Sequence, residues 1–140
     1  MDKRVMWTSN MQVGYDLLDD AHKSFVEIIN EAYGFIFAQN IDAFEGVFVR
    51  CEQHAKKHFA EEEAVMKQID FPDFESHQNS HKQFLSNLND LKTSFHLALF
   101  PEAKLKIASR AADYLKVWFL GHVLARDRIY KPYLVRLNKK

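Results

Sequence analysis

The chain has 140 residues, with 19 Lys and Arg against 19 Asp and Glu, 7 His, 1 Cys and 47% hydrophobic residues. A chain of this size buries roughly two thirds of the surface it exposes when unfolded, so it builds a core without disulfides, and Cys51 has no internal partner. Zero net charge with interspersed acids and bases excludes the basic footprint of a nucleic-acid-binding domain, and no run of about 18 uncharged apolar residues or secretory apolar core is present, so a soluble, cytoplasmic chain without membrane insertion is expected.

Only 4 Gly and 3 Pro mean few, long elements, which favours helices over a many-stranded sheet. Residues 1–18, with Trp7 and Gly14, read as an irregular N-terminal arm. Apolar and His residues then recur at three- and four-residue spacings over four stretches. The first carries His22, Phe25, Val26, Ile29, Tyr33, Ile36 and Phe37, entered from Asp19 and Asp20, which suit a helix N-terminus. The second carries Phe44, Val47, Phe48, Cys51, Ala55, His58, Glu62, Val65, Met66 and Ile69, with Asp42 as the expected N-cap and an end near Phe71-Pro72.

The third stretch holds Phe74, His77, His81, Phe84, Leu88, Leu91 and Phe95 behind Asp73 as its cap. The fourth opens at Pro101, a favoured first-turn residue, and continues through Leu105, Ala108, Ala111, Leu115, Trp118 and His122 towards Tyr130. Short connections make such helices antiparallel neighbours. The expected fold is all-α, an up-down-up-down four-helix bundle at 19–137 behind the arm, in one domain spanning 1–140.

Ligand-type side chains fall on the inward stripe of every helix. His58 and Glu62 interrupt the apolar face of the second, and His77 and His81, about 40° apart around the third, point the same way. His22 comes from the first helix, and His122 with Asp127 from the fourth. Charged groups rarely face a core unpaired, and convergence at one depth is what a metal site in a bundle requires. Five imidazoles and two carboxylates exceed the four ligands of a zinc centre, so two metals sharing the set is the natural count. Imidazole with carboxylate suits iron. If both carboxylates bridge and an oxo or hydroxo group joins the two octahedral ions, one coordination position stays open for a small ligand.

His122 and Asp127 are five residues apart, about 140° around an ideal helix, whereas five is the repeat of a π-turn. A local π-bulge or break in that segment is therefore expected, or a site approached from both flanks of the helix.

These residues also resemble the hemerythrin family, in particular its single-domain bacterial members, over nearly the whole chain. Trp7 and Gly14 match the family's N-terminal Trp and Gly, and Asp19, His22, Lys23 and Asn30 its DxxHK…N. His58, Phe59, Glu61, Glu62 and Glu63 match HFxxEE, and His77 and His81 match HxxxH. Trp118 to Val123 with Asp127, Arg128 and Tyr130 nearly reproduce WLxxHIxxxDKxY. The resemblance implies a non-haem di-iron centre that binds O2 or another small diatomic ligand reversibly. It implies that His77, His81 and His122 hold the saturated iron, that His22 and His58 hold the iron with the vacant position, and that Glu62 and Asp127 bridge. Phe59, Trp118 and Leu124 stand where the family places apolar pocket walls. Two departures, Ala21 for the usual Gln and His54 for a frequent Tyr, touch no ligand and bear on the surroundings that tune the metal.

His54 reads as a partly buried packing or hydrogen-bonding residue rather than a sixth imidazole, and His96 as a surface group. Cys51 reads as a small core hydrophobe, Glu61 and Glu63 as solvated, and Lys139 and Lys140 as a solvated tail. The expected function is an O2 carrier, store or delivery protein. An enzyme reducing peroxide or nitric oxide, or a sensor read by a separate partner, are the alternatives. The chain lacks the ExxH pairs of carboxylate-rich di-iron oxygenases.

Overall fold

The computed structural model describes residues 3–127 and 131–134, with only the backbone of residues 125–127. Four helices dominate: α1 (Asp16–Phe37), α2 (Ile41–Gln68), α3 (Phe74–Leu97) and α4 (Pro101–Gly121). No strand occurs among the described residues. The connections 38–40, 69–73 and 98–100 are too short to return a chain along a helix, so successive helices run antiparallel. α1 and α3 each pack against both α2 and α4, closing the ring of an up-down-up-down bundle. None of the described helices is long and apolar enough to cross a membrane.

Helix starts follow local chemistry, with three departures from the sequence reading. α1 begins at Asp16, so the arm ends at Tyr15 rather than at residue 18, and it contains a 3-10 turn at Ser9–Met11. α2 is capped by Asn40 instead of Asp42; the Asn40 side chain accepts from the Ala43 N–H at 3.2 Å. Asp42 lies in the first turn, where its charge complements the helix dipole. Asp73 does occupy the N-cap position of α3, but its side chain makes no capping hydrogen bond. Pro101 stands at the first turn of α4, as expected.

The helix ends show how a glycine-poor chain turns. Gln39 has φ +54° and Asp70 φ +52°. After α1, the Asn40 N–H donates to the Phe35 carbonyl at 2.8 Å and the Gln39 N–H to Ile36 at 3.0 Å. After α2, Phe71 donates to Met66 at 3.0 Å and Asp70 to Lys67 at 3.2 Å. Both are Schellman closures, in which a left-handed residue turns the chain so that orphan carbonyls are satisfied. Here Gln and Asp do what glycine usually does.

The arm is tied down by two side chains of α1. Asn30 accepts from the Val5 N–H at 2.7 Å and donates to the Val5 carbonyl at 2.9 Å, imitating a rung of backbone pairing. Asp19, buried in the first turn, accepts from the N–H groups of Val13 at 2.8 Å and Gly14 at 3.1 Å. Gly14 holds φ +88°, a conformation that costs an L side chain strain.

Buried side chains form two apolar clusters. The larger runs along the bundle and includes Phe25, Phe44, Phe48, Cys51, Phe59, Phe84, Phe95, Leu115 and Phe119. The smaller, with Val13, Leu18, Val65, Met66, Ile69, Phe71 and Leu134, closes one end, and Tyr133 of the turn at 131–134 packs on it. Along α2 the larger cluster reaches Phe59 and the smaller begins at Val65. His58 and Glu62 sit at the junction.

Candidate metal centre

Each helix delivers its polar residues to that junction. His58 and Glu62 are one turn apart on α2 and His77 and His81 one turn apart on α3, so each pair shares a face. His22 comes from the first half of α1, and His122 follows the last residue of α4. These six side chains are buried, none more than 4% exposed.

Glu62 is the hub. Its Oε1 lies 2.7 Å from His77 Nε2, 2.9 Å from His81 Nε2 and 3.4 Å from His122 Nε2. Its Oε2 lies 3.6 Å from His22 Nε2 and 3.5 Å from His58 Nε2. The ligand atoms fall into two groups, each within 4.8 Å: Glu62 with His77, His81 and His122, and Glu62 with His22 and His58. One carboxylate thus belongs to both groups, one oxygen to each.

Burial alone raises the Glu62 pKa, but the imidazoles of His122, His22, His58 and His77 directed at it outweigh burial and hold the carboxyl well below the usual carboxylate range. The carboxyl is therefore an anion in a dry place. Converging imidazole nitrogens around a buried anion are stable with a cation among them, either protons on the rings or a metal. His58 favours the metal: both of its ring nitrogens are buried with no hydrogen-bond partner among the described residues. An orphaned imidazole is costly in a core and natural in a ligand set. The residues present fit a metal centre.

Aromatic rings wall the cluster. Phe59 stacks on His81 at 3.9 Å with 3° between planes, and Trp118 stacks on His122 at 4.4 Å and 13°. Phe119 meets His22 edge-on at 6.0 Å. Leu124 is 37% exposed and faces solvent in part.

Beyond Gly121 the backbone is π-helical from His122 to Asp127, the five-residue repeat expected from their spacing. The side chain of Asp127 lies outside the described residues, as do Arg128, Tyr130, Lys139 and Lys140.

One reading is corrected. Glu63 is not simply solvated: its Oε2 lies 2.8 Å from His81 Nδ1, and its Oε1 accepts from Gln78 Nε2 at 2.9 Å. Sequence reasoning missed it because its partners lie on another helix. The available signal was Gln78 three residues before His81, on the same face of α3.

The other singled-out residues stand outside the cluster. His54 Nε2 is hydrogen-bonded to the Ala21 carbonyl at 2.9 Å, and its ring lies parallel to His58 at 6.1 Å. The two departures from the family pattern therefore touch each other. Burial leads the effects that push the His54 pKa down, ahead of the opposing Ala21 hydrogen bond. His96 is exposed, with Glu45 3.6 Å away. Cys51 is fully buried, and burial, then Glu52, push its thiol up to about 12.

Comparison with known proteins agrees with this geometry. The family model described as "Hemerythrin HHE cation binding domain" matches residues 13–134. A bacteriohemerythrin of Clostridium acetobutylicum is 24% identical over 129 residues, covering 89% of this chain and 97% of its own. Myohemerythrin-1 of Phascolopsis gouldii is 29% identical over 127 residues, covering 90% and 91%. A crystal structure of wild-type hemerythrin superposes with a TM-score of 0.80 at 21% identity, over 93% of this chain and 97% of that one, which shows the shared bundle fold. A match that takes in all four helices and the buried cluster leaves one conclusion: the chain belongs to the hemerythrin family.

Proposed function

We propose that the chain, as one hemerythrin-like domain, binds O2 or a similar small diatomic ligand reversibly at a non-haem di-iron centre, and serves as an oxygen carrier, store or delivery protein. The observation that carries this is the division of the buried imidazoles into two groups that share Glu62. In this reading His77, His81 and His122 would hold one iron, His22 and His58 would hold the other, and the carboxylates of Glu62 and Asp127 would serve both. When held there, ferrous iron would supply the electrons and the point of attachment for the diatomic ligand.

The chain's own residues set the conditions. Phe59 and Trp118, stacked on ligand imidazoles, exclude water and fix ring orientation. The smaller apolar cluster closes the centre from the end of the bundle. A centre rich in neutral imidazole and poor in carboxylate donates less negative charge than the ExxH sites of di-iron oxygenases. That favours binding over oxygen activation, and the protein is read as a binder rather than an enzyme.

Anaerobic reconstitution with Fe(II), with spectra taken as O2 is admitted and removed, tests this. The expected result is about two irons per chain, as a shared bundle-core site requires, and a visible band that comes and goes with O2. Rapid irreversible bleaching would move the reading to a sensor or to an enzyme acting on peroxide or nitric oxide. Uptake of a single zinc with no response to O2 would overturn it.

A further inference from the structure

Glu61, Glu62 and Glu63 are consecutive on α2, and each step turns the side chain about 100°. Glu62 points into the centre, while Glu63 turns towards α3, where Gln78 and His81 share a face. Both Glu63 oxygens are engaged there: Oε1 takes the Gln78 amide N–H at 2.9 Å and Oε2 faces His81 Nδ1 at 2.8 Å. The carboxylate keeps some contact with water, its side chain 21% exposed, whereas the His81 side chain is 2% exposed.

His81 is thereby held on every side. Glu63 grips Nδ1, Phe59 lies flat on the ring at 3.9 Å, and Nε2 is directed at Glu62 Oε1, 2.9 Å away, and His122 Nε2, 3.3 Å away. A carboxylate facing Nδ1 requires that nitrogen to carry the hydrogen. Nε2 faces the Glu62 carboxylate and without metal can carry hydrogen too; once that proton leaves, the lone pair is on Nε2, the atom aimed into the centre. A hydrogen bond from imidazole to carboxylate also makes the far nitrogen more electron-rich.

We infer that Glu63, tethered by Gln78, is a positioning residue for the centre: it fixes His81 as the Nδ1–H tautomer and strengthens Nε2 as a metal donor. This rests on reading the cluster as a metal centre. The Glu-rich run at 61–63 divides its labour, with Glu62 directed at the metal and Glu63 at a ligand.

The test has two parts. In metal-free protein at pH 8, nitrogen-15 correlation spectra of the His side chains report which His81 nitrogens carry hydrogen: Nδ1 does so in the wild type, whereas Glu63→Ala leaves only Glu62 facing the ring and moves the hydrogen to Nε2. Glu63 is partly exposed, so this variant keeps the fold, which circular dichroism checks. In metal-loaded protein, Fe(II) and Zn(II) affinities should fall about 10–100-fold in Glu63→Ala, the loss expected of an outer partner. The iron reduction potential should rise, with recovery in Glu63→Asp and a smaller loss in Gln78→Ala.

A wild-type His81 with no hydrogen on Nδ1, or unchanged affinity and potential in Glu63→Ala, would overturn the assignment. If the wild type takes up no iron, the di-iron reading falls on its own, and the His81 tautomer with the Zn(II) affinities still decides for or against Glu63.

Discussion

At the end of the bundle where α1 passes to α2 and α3 to α4, Phe44, Phe48 and Phe95 pack ring against ring at 5.3 to 5.9 Å, and no buried charge interrupts them. At the opposite end, the same four helices bury His22, His58, Glu62, His77, His81 and His122 at one level. The first arrangement gains free energy from apolar burial whatever is bound. The second costs free energy unless a cation satisfies its donors. The apolar end can thus hold the helices in register while the polar end stays ready for metal.

Paired substitutions at the two ends should separate these roles. Glu62→Gln removes the shared anion. Iron retention should fall by more than the roughly 10–100-fold that an outer partner costs, read by metal analysis after desalting, with the metal-free protein still folded. Phe48→Ala opens a cavity at the apolar end and should cost about 3–5 kcal/mol in urea unfolding, while the folded fraction still takes up iron. Iron loss in Phe48→Ala without loss of stability would dissolve the contrast.

Cys51 sharpens the comparison by pH. Burial raises its thiol pKa to about 12 in the folded chain, well above the ordinary value of about 8.5. Below the unfolded value the thiol is neutral in both states, so the stability linked to it is fully present. As pH rises past about 8.5 the unfolded thiolate is favoured, and stability falls with a slope approaching 1.4 kcal/mol per pH unit. Urea midpoints of the metal-free protein between pH 8 and 10 should show this slope, and Cys51→Ala should lack that component.

The smallest effect lies in the turns. Gln39→Gly relieves a left-handed side chain at the apolar end, and Asp70→Gly does so at the polar end. Each should stabilise by about 0.5–1 kcal/mol after the entropy cost of glycine, seen as a higher melting temperature. Neither should alter iron stoichiometry.

Much of this architecture is legible in the chain because helical spacing survives without tertiary information. The inward stripe from Phe44 to Met66 shows α2, and His58 with Glu62 on that stripe shows where its face turns polar. The π-turn was legible too, since a five-residue interval between two ligand-type residues conflicts with α-helical phase. What escaped depends on contacts between segments. Asn40 displaces Asp42 as cap because it also closes α1, its N–H donating to Phe35 while its side chain caps α2. Glu63 looks like a surface acid until α3 brings Gln78 and His81 alongside.

The π-helical stretch from His122 to Asp127 has a consequence for how this chain tolerates change in length. A π-turn accommodates one residue more than the α-turn it replaces, so it behaves as a stored insertion. Deleting one residue between His122 and Asp127 would let the helix relax to ordinary pairing and bring the two to a four-residue interval, still on one face. An added residue has no such outlet and would rotate everything after it by about 100°. At this place in the chain, shortening should therefore be forgiven more readily than lengthening.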